Sequence, residues 1–313
     1  MKNFSIIGVG GYIAPRHLKA VKETGNHLLS AYDRNDSVGI MDSHFPDADF
    51  FTEFERFASF NDRQKRAGKS IDYVSIMTPN YLHFSHMEYG LSIGADVICE
   101  KPLVLHPEDI DELMVLEKKY GKRVSTILQL RHHQVIIDLK EKIDKLPKDK
   151  KIEIDLTYIT SRGKWYFESW KGDLKKSGGL ATNIGIHFFD MLTWIFGAVQ
   201  QNEVHHNEAS KCGGYLELER AKVRWFLSVD LNDVPEELRK KGQRTFRSIE
   251  INKEELEFSE GFTDLHTVSY KEILAGRGYG LSHARESIVI ASMIRNAEIR
   301  KTDRIHPFTA KLK

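Results

Sequence analysis

Phe4-Ser-Ile-Ile-Gly8-Val-Gly-Gly-Tyr-Ile-Ala14 is the stretch of sequence that decides the fold. Its apolar start predicts a buried strand, and its glycines predict a tight turn into a helix. Further short apolar runs alternate with helical patterns, which predicts a doubly wound parallel sheet with right-handed crossovers, an N-terminal Rossmann domain. The predicted elements are strands Phe4–Val9, Leu28–Tyr32, Ile71–Met77, Asp96–Cys99 and Val124–Leu128, and helices Pro15–Thr24, Tyr81–Ile93 and Pro107–Tyr120.

The pattern changes after about residue 150, where apolar and polar residues alternate along short segments. Such alternation predicts strands with one covered face and one wetter face. The predicted elements are strands at 151–156, 222–229, 245–251 and 255–258, a loop entering an apolar helix at 178–196, and a helix at 283–294. We therefore expect a C-terminal α+β domain with an open, mainly antiparallel sheet, and a division into residues 1–125 and 126–313.

Composition limits the classes of protein that this chain can represent. With 313 residues, 41% hydrophobic and 29% charged, it suits two globular domains. A net charge of +1 gives no field suited to nucleic acid or an anionic membrane. Cys99 and Cys212 are too few for a disulfide framework. The longest apolar runs have the length of a strand, which is too short for a helix that spans a membrane. With no signal peptide apparent, we expect a cytoplasmic protein.

The glycine-rich turn and the end of the second strand together predict a dinucleotide site. Gly8 and Gly11, with Tyr12 and Ile13, would let the backbone approach a pyrophosphate, although Ile13 occupies the third glycine position of the usual motif. Asp33 follows at a spacing suited to binding the adenosine ribose, which favours NAD over NADP. A plain strand–helix turn and a solvated carboxylate are the alternatives.

Two further strand ends carry polar residues, and ligands of parallel sheets bind at that edge. Thr78, Asn80 and His83 follow one strand, and Glu100 and Lys101 follow the next. An ammonium such as that of Lys101 could stabilise alkoxide character beside a nicotinamide. The alternative is a surface lysine in a proline turn.

A helix in the second half supplies a possible proton acceptor. Asn183, His187 and Asp190 would lie one turn apart on one helical face. Histidine titrates in the range useful for alcohol oxidation, as a general base must. The alternative is a hydrogen-bonded core histidine.

These residues together resemble the Gfo/Idh/MocA oxidoreductase family. The resemblance rests on Asn80–His83, Glu100-Lys101-Pro102 and the Asn183…His187…Asp190 helix. It implies Lys101 and His187 as the catalytic pair, with Asn183 where many members have Asp. Further stretches are similar to the WlbA/WbpB branch, in which the unusual glycine turn is normal: Gly11–His17, Tyr158–Gly163, Ser169–Asp173, Ala221–Leu227, Phe258–Thr267 and Glu272–Tyr279.

The resemblance implies NAD-dependent oxidation of the C3 hydroxyl of UDP-N-acetyl-2-amino-2-deoxy-D-glucuronate (UDP-N-acetylglucosaminuronate) in lipopolysaccharide O-antigen synthesis. Lys101, Asn183 and His187 would bind the sugar, and Arg131, Arg162 and Trp165 are further candidate substrate-binding residues. Some members of the branch reoxidise NADH with 2-oxoglutarate. Members are commonly homo-oligomers, so we expect a tetramer or dimer.

Three other functions remain open at this point. One is a family dehydrogenase of another sugar or polyol, and another is an NAD-binding regulator without catalysis. A metal enzyme would rest on the pairs His83/His86, His132/His133 and His205/His206. Adjacent histidines cannot easily chelate one ion together, so we expect no metal site.

Overall fold

The computed structural model describes residues 1–36, 38–147, 151–256 and 264–312. The chain forms two compact units, Met1–His132 with Thr263–Arg285, and His133–Phe262 with Glu286–Lys313. The strands are β1 (Asn3–Ile7), β2 (His27–Tyr32), β3 (Asp49–Phe51), β4 (Tyr73–Ile76), β5 (Asp96–Cys99), β6 (Val124–Thr126), β7 (Ile152–Thr160), β8 (Val199–Asn207), β9 (Lys211–Leu218), β10 (Ala221–Ser228), β11 (Thr245–Ile251) and β12 (Glu254–Glu255). The helices are α1 (Ala14–Glu23), α2 (Val38–His44), α3 (Phe54–Arg66), α4 (His83–Ser92), α5 (Glu108–Tyr120), α6 (Gln134–Asp144), α7 (Trp165–Glu168), α8 (Leu174–Ser177), α9 (Ile186–Phe196), α10 (Glu236–Lys240), α11 (Leu265–Leu274) and α12 (Leu281–Asn296).

The first unit is built on a six-stranded sheet in the order β3-β2-β1-β4-β5-β6. Every pair in it is parallel, so its crossovers require helices, and the order is that of a doubly wound nucleotide-binding sheet. This confirms the predicted fold of the N-terminal half. The prediction missed α2, α3 and β3. Strand β3 is only three residues long and is not fully buried, so it gives no apolar run in the sequence.

The helix α11 belongs to the first unit, although it lies far along the chain. Its Tyr270 and Ile273 are buried in the same apolar cluster as Phe4 and Leu18. Burial of such side chains stabilises the packing of α11 on this unit. The compact units are therefore not the two uninterrupted segments, 1–125 and 126–313, expected from the sequence.

The second unit contains a six-stranded sheet in the order β12-β11-β7-β10-β9-β8. Only the β7–β10 pair is parallel, so the sheet is mainly antiparallel, as predicted. The predicted wetter face of β10 is confirmed at Lys222 and Arg224, whose side chains are 42% and 40% exposed, and is wrong at Phe226 and Ser228, which are fully buried. Phe226 packs with Ile159 and Val234 on that face. Of the strand predicted at 255–258, residues 257 and 258 lie outside the described residues.

Of the helices described here, none is long and apolar enough to cross a membrane.

Candidate active site

The glycine turn after β1 has no room for a side chain at its first residue. Gly8 has a φ of +94°, and a Cβ added there would lie 2.9 Å from the backbone of both Met77 and Thr78. At Gly11 a Cβ would lie 3.2 Å from the Gly8 carbonyl oxygen. No described side chain caps the start of α1. The N–H groups of Gly8, Gly11 and Ala14 donate to carbonyl oxygens in or beside the turn. The turn thus presents the positive dipole end of α1 at a place where glycine lets a ligand approach closely.

Asp33 lies beside this turn, at the end of β2. Its Oδ2 accepts a hydrogen bond from the Gly10 N–H (2.9 Å) and its Oδ1 accepts one from the Asn35 N–H (2.9 Å). Asn35 Nδ2 also donates to Oδ1, at 3.4 Å. An ionised carboxylate has about four acceptor positions, so one remains on Oδ2, and displacing the long Asn35 Nδ2 contact frees a second for ribose hydroxyls. The turn, the helix start and the carboxylate fit a dinucleotide. Of the other predicted cofactor residues, Tyr12 is 93% exposed and Ile13 packs partly against the core.

His83 is a buried bridge between two strand ends. Its Nδ1 lies 2.7 Å from the Pro102 carbonyl oxygen and its Nε2 lies 2.8 Å from the Thr78 carbonyl oxygen. Burial lowers the pKa of His83, so a neutral ring donates to one of the two carbonyls. The ring thereby holds the turn after β4, which includes the buried Asn80, close to the turn that contains Lys101. This inward orientation differs from the cofactor contact predicted for the side chain.

Glu100 also faces the protein interior. Its Oε1 lies 2.9 Å from His17 Nε2 and 3.0 Å from His266 Nε2, and its Oε2 accepts a hydrogen bond from the Lys101 N–H (3.2 Å). Burial alone would raise the pKa of Glu100, but the hydrogen bonds from His17 and His266 hold it well below its usual range. Glu100 is therefore an ionised carboxylate that contacts the start of the Lys101 peptide, and not a side chain turned outward as a cofactor contact requires.

Sequence reasoning missed His17 and His266 as site residues. They lie 83 and 166 residues from Glu100 along the chain, and nothing in their local pattern marks them. The only signal is that both fall within stretches similar to the WlbA/WbpB branch.

In the second unit, Asn183 and His187 lie on either side of a change in helical form. Asn183 belongs to a π-helical turn, Ala181–Gly185, that leads directly into α9, and His187 is the second residue of α9. Such turns are rare and frequently occur at functional sites. The predicted apolar helix at the end of 178–196 is confirmed by α9, and the predicted loop before it is replaced at 181–185 by this π-helical turn.

The π-helical turn is held by close packing and by one buried hydrogen bond. A Cβ at Gly185 would lie 2.7 Å from Leu227 Cδ1, so glycine lets the turn pack directly on β10. Asn183 Nδ2 donates to Tyr166 Oη (2.9 Å), which fixes the amide orientation. His187 is half-buried, whereas Asp190 is buried. The arrangement makes His187 the accessible titratable group of this helix.

A cationic and aromatic patch lies near the end of β7 in the same unit. The Lys171 ammonium lies 4.5 Å from the ring centroid of Trp170 and 5.4 Å from that of Trp165. Burial, and then the positive charge of Arg162, lower the pKa of Lys171. Arg162 Nη1 donates to Thr160 Oγ1 (2.7 Å), which orients the guanidinium. Sequence reasoning named Arg162 and Trp165 but missed Lys171, which directly follows Trp170.

Arg131 makes contacts within the first unit. It is 5% exposed, its Nη2 donates to the His283 carbonyl oxygen (2.9 Å), and its guanidinium lies 4.8 Å from the Tyr279 ring centroid. These contacts join the segment after β6 to the start of α12. They argue for a structural role and against the substrate role predicted for Arg131.

The predicted site residues thus fall into two groups. The first unit contains those assigned to the cofactor, together with Lys101 and Arg131, and the second contains Arg162, Trp165, Asn183 and His187.

Two family models match the chain. The oxidoreductase family, NAD-binding Rossmann fold, matches residues 2–128, and the C-terminal alpha/beta domain of the same family matches residues 140–232. The chain belongs to the Gfo/Idh/MocA oxidoreductase family. It is an NAD-dependent oxidoreductase, which confirms the family, fold class and cofactor predicted from sequence.

The chain is similar over its length to the WlbA (WbpB) dehydrogenase from Thermus thermophilus. The crystal structure of that protein with NAD and α-ketoglutarate has a TM-score of 0.95 and 50% identity, covering 98% of this chain and 100% of that one. The structure with NAD and UDP-GlcNAcA has the same TM-score and coverage at 49% identity. The WlbA dehydrogenase from Bordetella pertussis, crystallised with NADH and UDP-GlcNAcA, has a TM-score of 0.76 at 19% identity over 94% of this chain and 95% of its own, a likeness of fold alone.

Curated relatives are more distant. The D-glucoside 3-dehydrogenase of Escherichia coli (strain K12) is 27% identical over 58% of this chain and 52% of its own length. The glucose-6-phosphate 3-dehydrogenase of Bacillus subtilis (strain 168) is 26% identical over 63% and 54%. The chain spans about half the length of the curated relatives it matches.

Proposed function

We propose that this protein oxidises the C3 hydroxyl of UDP-N-acetyl-2-amino-2-deoxy-D-glucuronate (UDP-GlcNAcA) to the 3-keto sugar, with NAD as the oxidant. The observation that carries the proposal is the full-length similarity, at about half identity, to a dehydrogenase crystallised with NAD and UDP-GlcNAcA. The 3-keto product would then be aminated in the synthesis of a diacetamido uronic acid of the lipopolysaccharide O-antigen.

The first unit would hold the cofactor, and bound NAD would accept the hydride from C3. The backbone at Gly8, Gly11, Tyr12 and Ile13, with the start of α1, would bind the pyrophosphate. Asp33 would accept hydrogen bonds from the adenosine ribose and repel a 2′-phosphate. Thr78 and Asn80, at the end of β4, would border the same cofactor.

Lys101 and His187 would divide the work on the reacting hydroxyl. Lys101 would donate a hydrogen bond to the C3 oxygen and stabilise its developing negative charge. His187 would take the hydroxyl proton as general base, and its half-buried position leaves the ring within reach of a substrate. Asn183, fixed by Tyr166, would orient the sugar.

The anionic groups of the substrate require fixed cations. A diphosphate and a carboxylate bind best to charged donors, and Arg162 and Lys171 are two cations close enough to influence each other. Trp165, 54% exposed, would pack against the sugar or the uracil.

α-Ketoglutarate (2-oxoglutarate) would serve as a second substrate that reoxidises NADH on the protein. The support is that the Thermus thermophilus dehydrogenase was crystallised with NAD and α-ketoglutarate. We further propose a homo-oligomer, a dimer or tetramer, in the cytoplasm. Analytical ultracentrifugation would test the oligomeric state.

Mass spectrometry of the sugar nucleotide tests the reaction. UDP-GlcNAcA incubated with protein, NAD and α-ketoglutarate should lose two hydrogens, and 2-hydroxyglutarate should appear in equal amount. Loss of two hydrogens that depends on stoichiometric NAD would retain the dehydrogenase and remove the recycling. Unchanged UDP-GlcNAcA alongside oxidation of glucose 6-phosphate or a glucoside would overturn the proposed substrate in favour of the activities of the curated relatives.

A further inference from the structure

A chain of buried polar side chains runs through the first unit and ends at Lys101. Glu100 Oε1 lies 2.9 Å from His17 Nε2 and 3.0 Å from His266 Nε2. His17 Nδ1 lies 2.8 Å from Tyr270 Oη, and the Tyr270 hydroxyl donates to Ser75 Oγ (2.8 Å). We call these five residues the Glu100 network.

Burying these polar and ionic groups in the core costs free energy. All five side chains are buried, with His17, Ser75 and Tyr270 fully so. Glu100 accepts N–H hydrogen bonds on both oxygens, including one from the Lys101 N–H at Oε2. Buried ionic groups of this kind often stabilise a protein no more than well-packed apolar residues do, and their clearest use is to specify one geometry.

The contacts within the network are hydrogen bonds. Among the described residues, His17, Glu100 and His266 are the group of side chains near enough to share an ion. Each imidazole Nε2 makes a hydrogen bond to Glu100 Oε1, at 2.9 and 3.0 Å. These hydrogen bonds stabilise the buried carboxylate without an ion, and metal analysis of the purified protein tests the alternative.

The elements that the network joins are the ones that a dinucleotide must span. His17 lies in the first turn of α1, directly after the glycine turn. Glu100 follows β5 and precedes Lys101, whereas His266 and Tyr270 come from α11. The network therefore ties the helix start that would bind the pyrophosphate to the peptide that carries the lysine.

We propose that His17, Glu100 and His266 are positioning residues for Lys101, holding its peptide in register with the start of α1. The inference rests on the proposed role of Lys101 at the reacting hydroxyl. A misplacement of about 1 Å in such a group can lower turnover about a hundredfold. The network would therefore act on kcat, through Lys101, and leave NAD affinity nearly unchanged.

Two substitutions of His17 separate the two hydrogen bonds of its ring. The amide nitrogen of His17→Gln reaches the position of Nε2 and keeps the bond to Glu100, while losing the contact with Tyr270. The amide of His17→Asn stays near Nδ1, keeps the contact with Tyr270 and loses the bond to Glu100. We expect His17→Asn to lower kcat 10- to 100-fold below His17→Gln, with NAD dissociation constants within threefold of each other.

Two readouts distinguish positioning from general destabilisation. The deuterium isotope effect with C3-deuterated UDP-GlcNAcA should rise in His17→Asn, because hydride transfer becomes slower than product release. Hydrogen exchange of the Lys101 amide, which donates to Glu100, should be faster in His17→Asn than in His17→Gln. This measurement does not depend on enzyme activity. Tyr89→Phe is a control, because its partly buried hydroxyl accepts a hydrogen bond from Asn61 Nδ2 outside the network.

The outcomes separate this inference from the proposed function. Loss of turnover in Lys101→Met, with equal kcat and equal Lys101 amide exchange in the two His17 variants, would overturn the network and retain the lysine. Failure of the wild-type protein to oxidise UDP-GlcNAcA would overturn the proposed substrate, and amide exchange would still decide the network. A stoichiometric divalent metal in the purified protein that is lost in both His17 variants would replace positioning with metal binding.

Discussion

Replacing Asp33 with asparagine should change the cofactor preference of the protein by removing one charge. The carboxylate accepts hydrogen bonds from the Gly10 and Asn35 N–H groups at 2.9 Å, so its position beside the glycine turn is fixed. Asparagine has nearly the same shape but carries no charge and only one acceptor oxygen. Asp33→Asn therefore tests the charge with little change in packing.

The magnitude follows from two effects that both lower the NAD-to-NADP preference. A hydrogen bond to an ionised group is worth about 1 kcal/mol more than a neutral one, so losing two to the ribose should weaken NAD about 30-fold. Repulsion between a carboxylate and a 2′-phosphate about 5 Å away costs about 3 kcal/mol at an effective dielectric constant of about 20. Relief of that repulsion should strengthen NADP about a hundredfold. The NAD-to-NADP preference should fall by a factor of about 10³.

Dissociation constants for NAD and NADP, measured by quenching of tryptophan fluorescence, would check this value. Asp49→Asn is the matched control, because it removes the same charge from an exposed residue at the start of the neighbouring strand β3. Asp33→Asn should also lower the free energy of unfolding by about 1 kcal/mol, because one of the Gly10 and Asn35 N–H groups, both in partly buried hydrogen bonds, loses its acceptor. An unchanged preference in a folded Asp33→Asn protein would refute the assignment of Asp33 to the ribose.

Three further results are expected. His187→Asn should lower kcat about a hundredfold or more and leave NAD affinity unchanged in fluorescence titrations, because a general base acts on the reaction and not on the cofactor; equal losses in both would contradict it. Gly8→Ala should abolish NAD binding in the same titrations, since its Cβ meets backbone at 2.9 Å, whereas Gly25→Ala, also at positive φ but with no described atom within 4 Å, should not. Burial lowers the pKa of His86 to about 4 in the folded protein. As the pH falls below about 6.5, His86 becomes protonated in the unfolded chain but stays neutral in the folded protein, so the free energy of unfolding decreases. His86→Gln should reduce the stability lost between pH 7 and pH 5, measured by urea unfolding, by about 2 kcal/mol, and an identical loss would show that His86 titrates normally in the folded protein.

Much of the cofactor-binding half could be predicted from local sequence. Strand β5 has the predicted bounds, and β1, β2 and α1 differ from theirs by a few residues. Their short apolar runs and glycine punctuation have meaning within a window of about ten residues. Asp33 was identifiable for the same reason, since its spacing from the glycines is set by one helix and one strand.

Contacts between distant segments could not be predicted. Phe226 was expected on a wetter face because alternation describes a strand with one covered side, whereas the second half of β10 is covered on both sides. Arg131 was expected to bind substrate because nothing in its neighbourhood shows that Tyr279 and His283 would receive its guanidinium. In both positions the partner decides the role.

The sequence by itself determined the parallel sheet, the glycine turn with its carboxylate, and the lysine after β5, because each depends on residues close together in the chain. Only the tertiary structure decided that Glu100 lies between His17 and His266, and that α11 belongs with the first unit. The physical reason is that an ionised carboxylate can be buried only where donors surround it, and folding brought these two donors from positions 83 and 166 residues away.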